Sequence, residues 1–215
     1  MKNAGAKSAL EQQGEETRRG ILSAAVECAS RHGLEGLTIG HLAKETGMSK
    51  SGLFAHFGSK EDLQMATLDA ALRIFLKEVV EPAMDREGGL ARLIALIDGW
   101  LSHIERRVFA CGCFFGQSSL EFDSRPGRVR DRIVNLMINW RDLLESEARR
   151  AKVKRQLAPK TDPRQLVFEL AGMMGQANLE WQLFCDEETF ARAQAGIRAR
   201  LRESATPSGR KALKA

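Results

Sequence analysis

Residues 38–60, TIGHLAKETGMSKSGLFAHFGSK, place two short helices on either side of a glycine turn, and few folds accommodate that arrangement. Thr38 is a natural N-cap for the first helix, whose apolar positions Ile39, Leu42 and Ala43 share one face. Gly47 stands where that helix must stop in a left-handed residue. Ser49 caps the second helix, and Leu53 and Phe57, four residues apart, turn inward together. Lys50, Ser51 and His56 are left outside, with no carboxylate between Met48 and Lys60 to repel a phosphate. Two helices, a tight turn and an outward basic end are the parts of a helix-turn-helix DNA reader.

The wider run from Thr17 to Leu63 carries a family resemblance. A first helix RRGILSAAVECASRHG is followed by LTIGHLAKETGMS and SGLFAHFGSKEDL. Gly33, Thr38, Ala43, Gly47, Ser49, Leu53, Phe57, Lys60 and Leu63 recur at the spacing of the TetR/AcrR transcriptional regulators, and the segment resembles their N-terminal DNA-binding domain. The chain departs from that pattern at Phe54, where the family usually has Tyr. The ring survives the change, but a hydroxyl contact to phosphate is lost. The resemblance implies a DNA-binding head, a larger helical body, a four-helix dimer interface from the last two helices, and release from a palindromic operator by a small ligand.

Charge supports a nucleic-acid partner only weakly. The net charge of +5 over 215 residues is mild, and residues 15–60 hold six Lys or Arg against five Glu. DNA affinity must come from where the cations stand, not from their number. Leu, Ala and Met are plentiful and β-branched runs scarce, which favours an all-α fold. No stretch approaches the ~20 apolar residues that span a bilayer, and no apolar core follows Lys2 as in a signal peptide. Cys28, Cys111, Cys113 and Cys185 do not form a secreted disulfide framework, so a cytoplasmic chain is expected.

Organisation follows from caps and breakers. Residues 1–14 read as a flexible arm, 15–60 as the DNA-binding head, 61–203 as the body, and 204–215 as a disordered basic tail, with about nine helices in all. Ser59 and Asp62 form a capping box for a helix that should end at Pro82. Residues 110–121 predict a short or broken helix. Pro126 opens a long amphipathic helix with Val129, Ile133, Leu136, Met137, Trp140, Leu143 and Leu144 on its stripe, and Asp162-Pro163 opens the next.

Site residues follow from these placements. Thr38, Ser49, Lys60 and His56 flank helices where hydroxyls, amides and cations meet phosphates. Lys50 and Ser51 begin the recognition helix and are expected at base edges, while Gly52 lets the backbone approach the duplex. One short helix cannot hold a specific site alone, so a homodimer on a near-palindromic duplex is expected. Ala171, Gly175 and Asn178, with Phe190, Ile197 and Leu201, are candidates for the dimer surface, and an intramolecular helix contact is the alternative.

In the body, Trp100, Phe114, Phe115, Met137, Trp140, Met173, Met174 and Trp181 could line a cavity for a small hydrophobic ligand, with His103, Gln117 and Asn178 as polar handles; plain core is the alternative. Cys111 and Cys113 open a second reading, a redox or electrophile sensor, although buried inert thiols also fit. A zinc site lacks ligands, and no Gly-rich phosphate loop, GxSxG elbow or HExxH is present, so neither cofactor, metal nor catalysis is expected.

Overall fold

A computed structural model describes residues 9–213. Among them the only extended pairing is one antiparallel bridge, Leu157 to Ala205; everything else regular is helical. The chain divides into two compact units, Met1–Ala71 and Leu72–Ala215, here called the head and the body.

The head comprises α1 (Ala9–His32), α2 (Ile39–Thr46), α3 (Lys50–Phe57) and the first part of α4 (Lys60–Phe75). Its core is Ile21, Leu22, Ala25, Val26 and Ala29 of α1 against Leu34, Leu37, Leu42, Leu53, Phe57 and Leu63. The Arg18 guanidinium lies 4.5 Å from the Phe57 ring centroid and donates to the His56 carbonyl at 2.5 Å, tying α1 to the end of α3. The Gln64 amide donates to the Leu34 carbonyl at 2.9 Å, which satisfies a buried loop oxygen.

The body is built around α6 (Leu90–Glu105), whose Leu90, Leu93, Leu96, Ile97, Trp100, Leu101 and Ile104 are all buried. Each such side chain contributes about 1.5–3 kcal/mol of transfer energy. Around it pack a π-helical turn (Leu76–Val80), α5 (Glu81–Met84), α8 (Arg128–Val153), α9 (Pro163–Phe184), α10 (Thr189–Ser204) and α11 (Pro207–Ala212), while α7 (Phe114–Phe122) packs on α8. The first amides of α6 are capped from a distance: Gly89 N–H donates to buried Glu147 at 2.7 Å and Leu90 N–H to Gln156 at 3.0 Å. A carboxylate there meets the positive end of the helix dipole and satisfies donors the helix cannot.

Three sequence expectations change. Helix α1 already runs at Ala9, so the arm of residues 1–14 is helical from that point; residues 1–8 lie outside the described part. The chain does not stop at Pro82: the wide turn sends the Glu81 N–H back to the Leu76 carbonyl, and Pro82 then sits in the first turn of α5, where its missing N–H does no harm. Residues 204–213 are docked instead of disordered. Ala158 N–H donates to Ser204 O at 2.8 Å and Thr206 N–H to Gln156 O at 3.0 Å. Thr206 then caps α11 through Gly209 N–H, and a Cβ on Gly209 would stand 1.9 Å from the Gln156 carbonyl, so only glycine fits.

Candidate nucleic-acid interface and effector cavity

In the head, the local rules hold atom by atom. Thr38 Oγ1 accepts from His41 N–H at 3.1 Å, Gly47 closes α2 at φ 67°, and Ser49 Oγ accepts from Gly52 N–H at 3.1 Å. Ser59 Oγ accepts from Asp62 N–H at 3.0 Å and donates to the Asp62 carboxylate at 2.7 Å, while the Ser59 N–H turns to Phe57 O, so the serine caps α4 but the reciprocal half of the box is not made. Leu53 and Phe57 are buried, while Lys50, Ser51, Phe54 and Ala55 are exposed, Phe54 to 53%. That leaves the outer face of α3 without a carboxylate and with one bare aromatic ring.

Two expected contacts are altered. Lys60 is not a free cation: its Nζ lies 3.0 Å from Glu35 Oε1, and Gln64 donates to the other oxygen of that carboxylate at 3.4 Å. The lysine thus shares a half-exposed carboxylate on a neighbouring loop, a pairing that its position at a helix start did not show. Lys50 also lies differently from the expected base reader. A Cβ on Gly40 would stand 3.5 Å from Lys50 Cε and 3.8 Å from Nζ, so the side chain crosses the first turn of α2. Thr38, Gly40, His41, Lys44 and Lys50 together line a shallow concavity there. The first amides of α2 lack intrahelical acceptors, and two cations rim them, which is a phosphate-shaped environment. Gly40, His41 and Lys44 were not singled out from the sequence, because the concavity needs α3 folded back against α2. Gly52 has a local explanation as well, since a Cβ would press to 3.2 Å from the capping Ser49 oxygen. His56 occupies the last turn of α3, away from its N-terminal end.

The body holds a cavity of about 570 Å³, lined from α4 and the π turn (Leu72, Phe75, Leu76, Val80), α6 (Trp100), the α7 start (Cys113, Phe115, Gly116), α8 and α9. From α8 come Arg132, Leu136, Met137, Asn139, Trp140 and Leu143; from α9 come Ala171, Met174, Gly175 and Asn178. Phe75 stands edge-on to both Phe115 and Trp140, at 82° and 85°, with centroids 5.8 and 5.1 Å away. Of the expected lining, Trp100, Phe115, Met137, Trp140, Met174 and Asn178 are present. Phe114 is buried core, Gln117 lies off the lining, Met173 packs beside Gly196, and Trp181 carries Arg107 over its ring and meets Phe190 edge-on.

His103 is not a polar handle. It is 1% exposed, wedged against Phe75 and Phe109, and neither ring nitrogen has a partner. Burial above all, with Arg106 nearby, pushes its pKa down to about 4, so it is a neutral ring in the core. The dimer candidates also divide. Phe190, Ile197 and Leu201 are buried within the chain itself, and Ala171, Gly175 and Asn178 line the cavity. The apolar side chains that α9 exposes are instead Phe168, Leu179, Leu183 and Phe184.

The cysteine reading finds no support. Cys113 caps α7, its sulfur accepting from Gly116 N–H at 3.3 Å, and burial pushes the thiol above its ordinary pKa despite that bond. A reactive sensor needs the opposite shift. Both Cys111 and Cys113 are free thiols, and no group of metal-binding side chains occurs among the described residues.

Comparison with known proteins matches this anatomy. Residues 21–66 fit the family model for bacterial regulatory proteins of the tetR family, and residues 89–197, just over half the chain, fit the tetracyclin repressor-like C-terminal domain. The chain belongs to the TetR family of transcriptional regulators. The HTH-type transcriptional repressor AcnR of Corynebacterium glutamicum is 44% identical over 50 residues, 23% of this chain, and the match spans about a quarter (27%) of that repressor's length. A TetR transcriptional regulator from Chloroflexus aurantiacus superposes with a TM-score of 0.82 at 22% identity, over 90% of this chain and 98% of that one. AibR, solved with isovaleryl coenzyme A and operator DNA, superposes with a TM-score of 0.65 at 22% identity, over 83% and 94%. At these identities the two structures establish a shared TetR fold. No helix among the described residues is long and apolar enough to cross a membrane.

Proposed function

We propose that this TetR-family protein is a homodimeric repressor that binds a near-palindromic operator and leaves it when a small, largely hydrophobic molecule enters the body. The observation that carries the DNA half is the concavity at the start of α2, where capped helix ends, Lys44 and Lys50 converge on an exposed α3 face. Thr38, Ser49 and the two lysines position the duplex through its phosphates, while Ser51 and Phe54 face the bases; a phenyl ring suits a thymine methyl. The ligand half rests on the 570 Å³ cavity, whose size is typical of a small-molecule site. AibR was solved with both operator DNA and an acyl-coenzyme A, which supports this pairing of functions on the same fold.

The dimer surface belongs on the exposed side of α9 and α10, where Phe168, Leu179 and Leu183 lie with the small exposed residues Ala191, Ala195 and Ala199. Helix α4 begins at Lys60 in the head, and its Leu72 and Phe75 line the cavity. A ligand acts by preferring one of two settings of that helix, and shifts the population only by its difference in affinity for them. The test is a titration of duplexes from the DNA flanking the coding region, read by anisotropy and sedimentation. A dimer that holds one such duplex far more tightly than scrambled DNA is expected. Equal affinity for all duplexes would remove the operator reading.

A further inference from the structure

We infer that the cavity of the body takes an amphiphile with an apolar chain and an anionic head, such as a medium-chain carboxylate, with the head held at Arg132. This rests on the reading above that the cavity is an effector site, and adds the chemical class of its occupant. Arg132 is the one formal charge among the lining residues; no Asp, Glu, Lys or His joins it. The uncharged polar groups lean the same way. Asn178 Oδ1 already accepts from Cys113 N–H at 2.9 Å, and a Cβ on Gly112 would stand 2.3 Å from it, so this oxygen is enclosed and the NH2 is what the side chain has left to offer. The Cys113 sulfur is likewise engaged as an acceptor by Gly116 N–H. Donors therefore outnumber acceptors, and an occupant must bring the acceptors.

Charge then separates an acid from an alcohol or an amine. Arg132 has interactions of its own, but its five N–H donors can be divided between them and a carboxylate. A cationic head would face that guanidinium in an apolar enclosure, where like charges repel strongly. The four lining rings, Phe75, Trp100, Phe115 and Trp140, could in principle attract a quaternary ammonium. However, Phe75 meets both Phe115 and Trp140 at near right angles, so each of these contacts already takes up a ring face of one of its two partners. The lining on α8 runs from Arg132 to Leu143, a helical rise of about 16 Å. Apart from Asn139, it is apolar beyond Arg132, and that calls for one head and one chain.

The experiment uses the full chain and its own tryptophans, two of which, Trp100 and Trp140, line the cavity. Decanoate, decanol and decyltrimethylammonium are titrated below their micelle concentrations while tryptophan emission is followed. Decanoate should bind at least about tenfold more tightly than either other probe, the gain of a charge-assisted hydrogen-bonded pair. Arg132→Gln should erase that preference by bringing decanoate down to the affinity of decanol, whereas Arg132→Lys should retain most of it. Equal binding of decanoate and decanol, or tighter binding of the ammonium, overturns the anionic class while leaving the effector site standing. Failure of all three to bind a protein that still holds DNA overturns the effector reading as well. Should Arg132→Gln not fold, the comparison of the three probes on the parent and on Arg132→Lys still decides.

Discussion

The double change Lys44→Ala with Lys50→Ala tests where the phosphates sit, and it can be run before any operator is known. Both lysines rim the concavity at the start of α2, and neither has an ion-pair partner among the described residues. Each phosphate neutralised by a cation adds about 0.9 to the slope of log affinity against log salt. Two lysines per head, doubled in a dimer, should therefore flatten the slope by about 3.6. Between about 50 and 200 mM salt the parent should lose over a hundredfold more affinity than the variant. Lys60→Ala is the matched control, because Glu35 at 3.0 Å already neutralises that ammonium. Its slope should stay within about half a unit of the parent's. Anisotropy titrations of a labelled duplex at four salt concentrations supply every slope. A flattening of less than about one unit in the double variant would refute the assignment. So would a Lys60→Ala slope that falls as far as that of Lys44→Ala alone.

Three further outcomes test the body and the helix ends. The His103 pKa of about 4 lies below its unfolded value of about 6.5, so the unfolded chain binds the proton first. Stability should be complete above pH 6.5 and fall by about 2 kcal/mol between there and pH 5, and His103→Phe should remove that contribution in urea titrations at the two pH values. Glu147→Ala strips buried partners from Gly89 N–H and Arg92, and should cost about 3–5 kcal/mol by urea unfolding, while Glu147→Gln keeps the cap and should cost less. Cys185 ends α9 with φ 52°, a left-handed conformation that suits glycine; Cys185→Gly should raise stability by about 1 kcal/mol, read as a small rise in Tm.

The parts of this protein that were legible in the sequence are those fixed by neighbours within four residues. Thr38, Gly47, Ser49, and Ser59 with Asp62 each act on a backbone group two to four positions away or on their own φ, so spacing alone specified them. What spacing could not show is pairing across the fold. Lys60 meets Glu35, 25 residues earlier, and a lysine at a helix start looks the same whether or not a carboxylate waits opposite. The apolar stripe of α10 put Phe190, Ile197 and Leu201 among the dimer candidates, but a stripe says nothing about whether its own chain or a partner covers it, and here its own chain does. His103 is the clearest case. A histidine among apolar residues reads as a polar handle until its ring is found between Phe75 and Phe109 with nothing to bond. The tail misled for a related reason: its polar, basic composition concealed a threonine cap and a glycine narrow enough to lie on Gln156.

The wide turn from Leu76 to Val80 sets how the cavity can be reshaped. A π turn holds a residue more than ordinary helix requires, and Glu81 N–H reaches back to Leu76 O to accommodate it. Removing one exposed residue there, such as Lys77, would let the turn relax into plain α-helix and rotate Phe75 and Leu72 by about 100° relative to everything after Glu81. No apolar side chain would be lost, yet one wall would present different ones. On this scaffold a change of one in chain length is a shorter route to a new cavity shape than a series of substitutions, and sequence comparisons that ignore gaps would miss it.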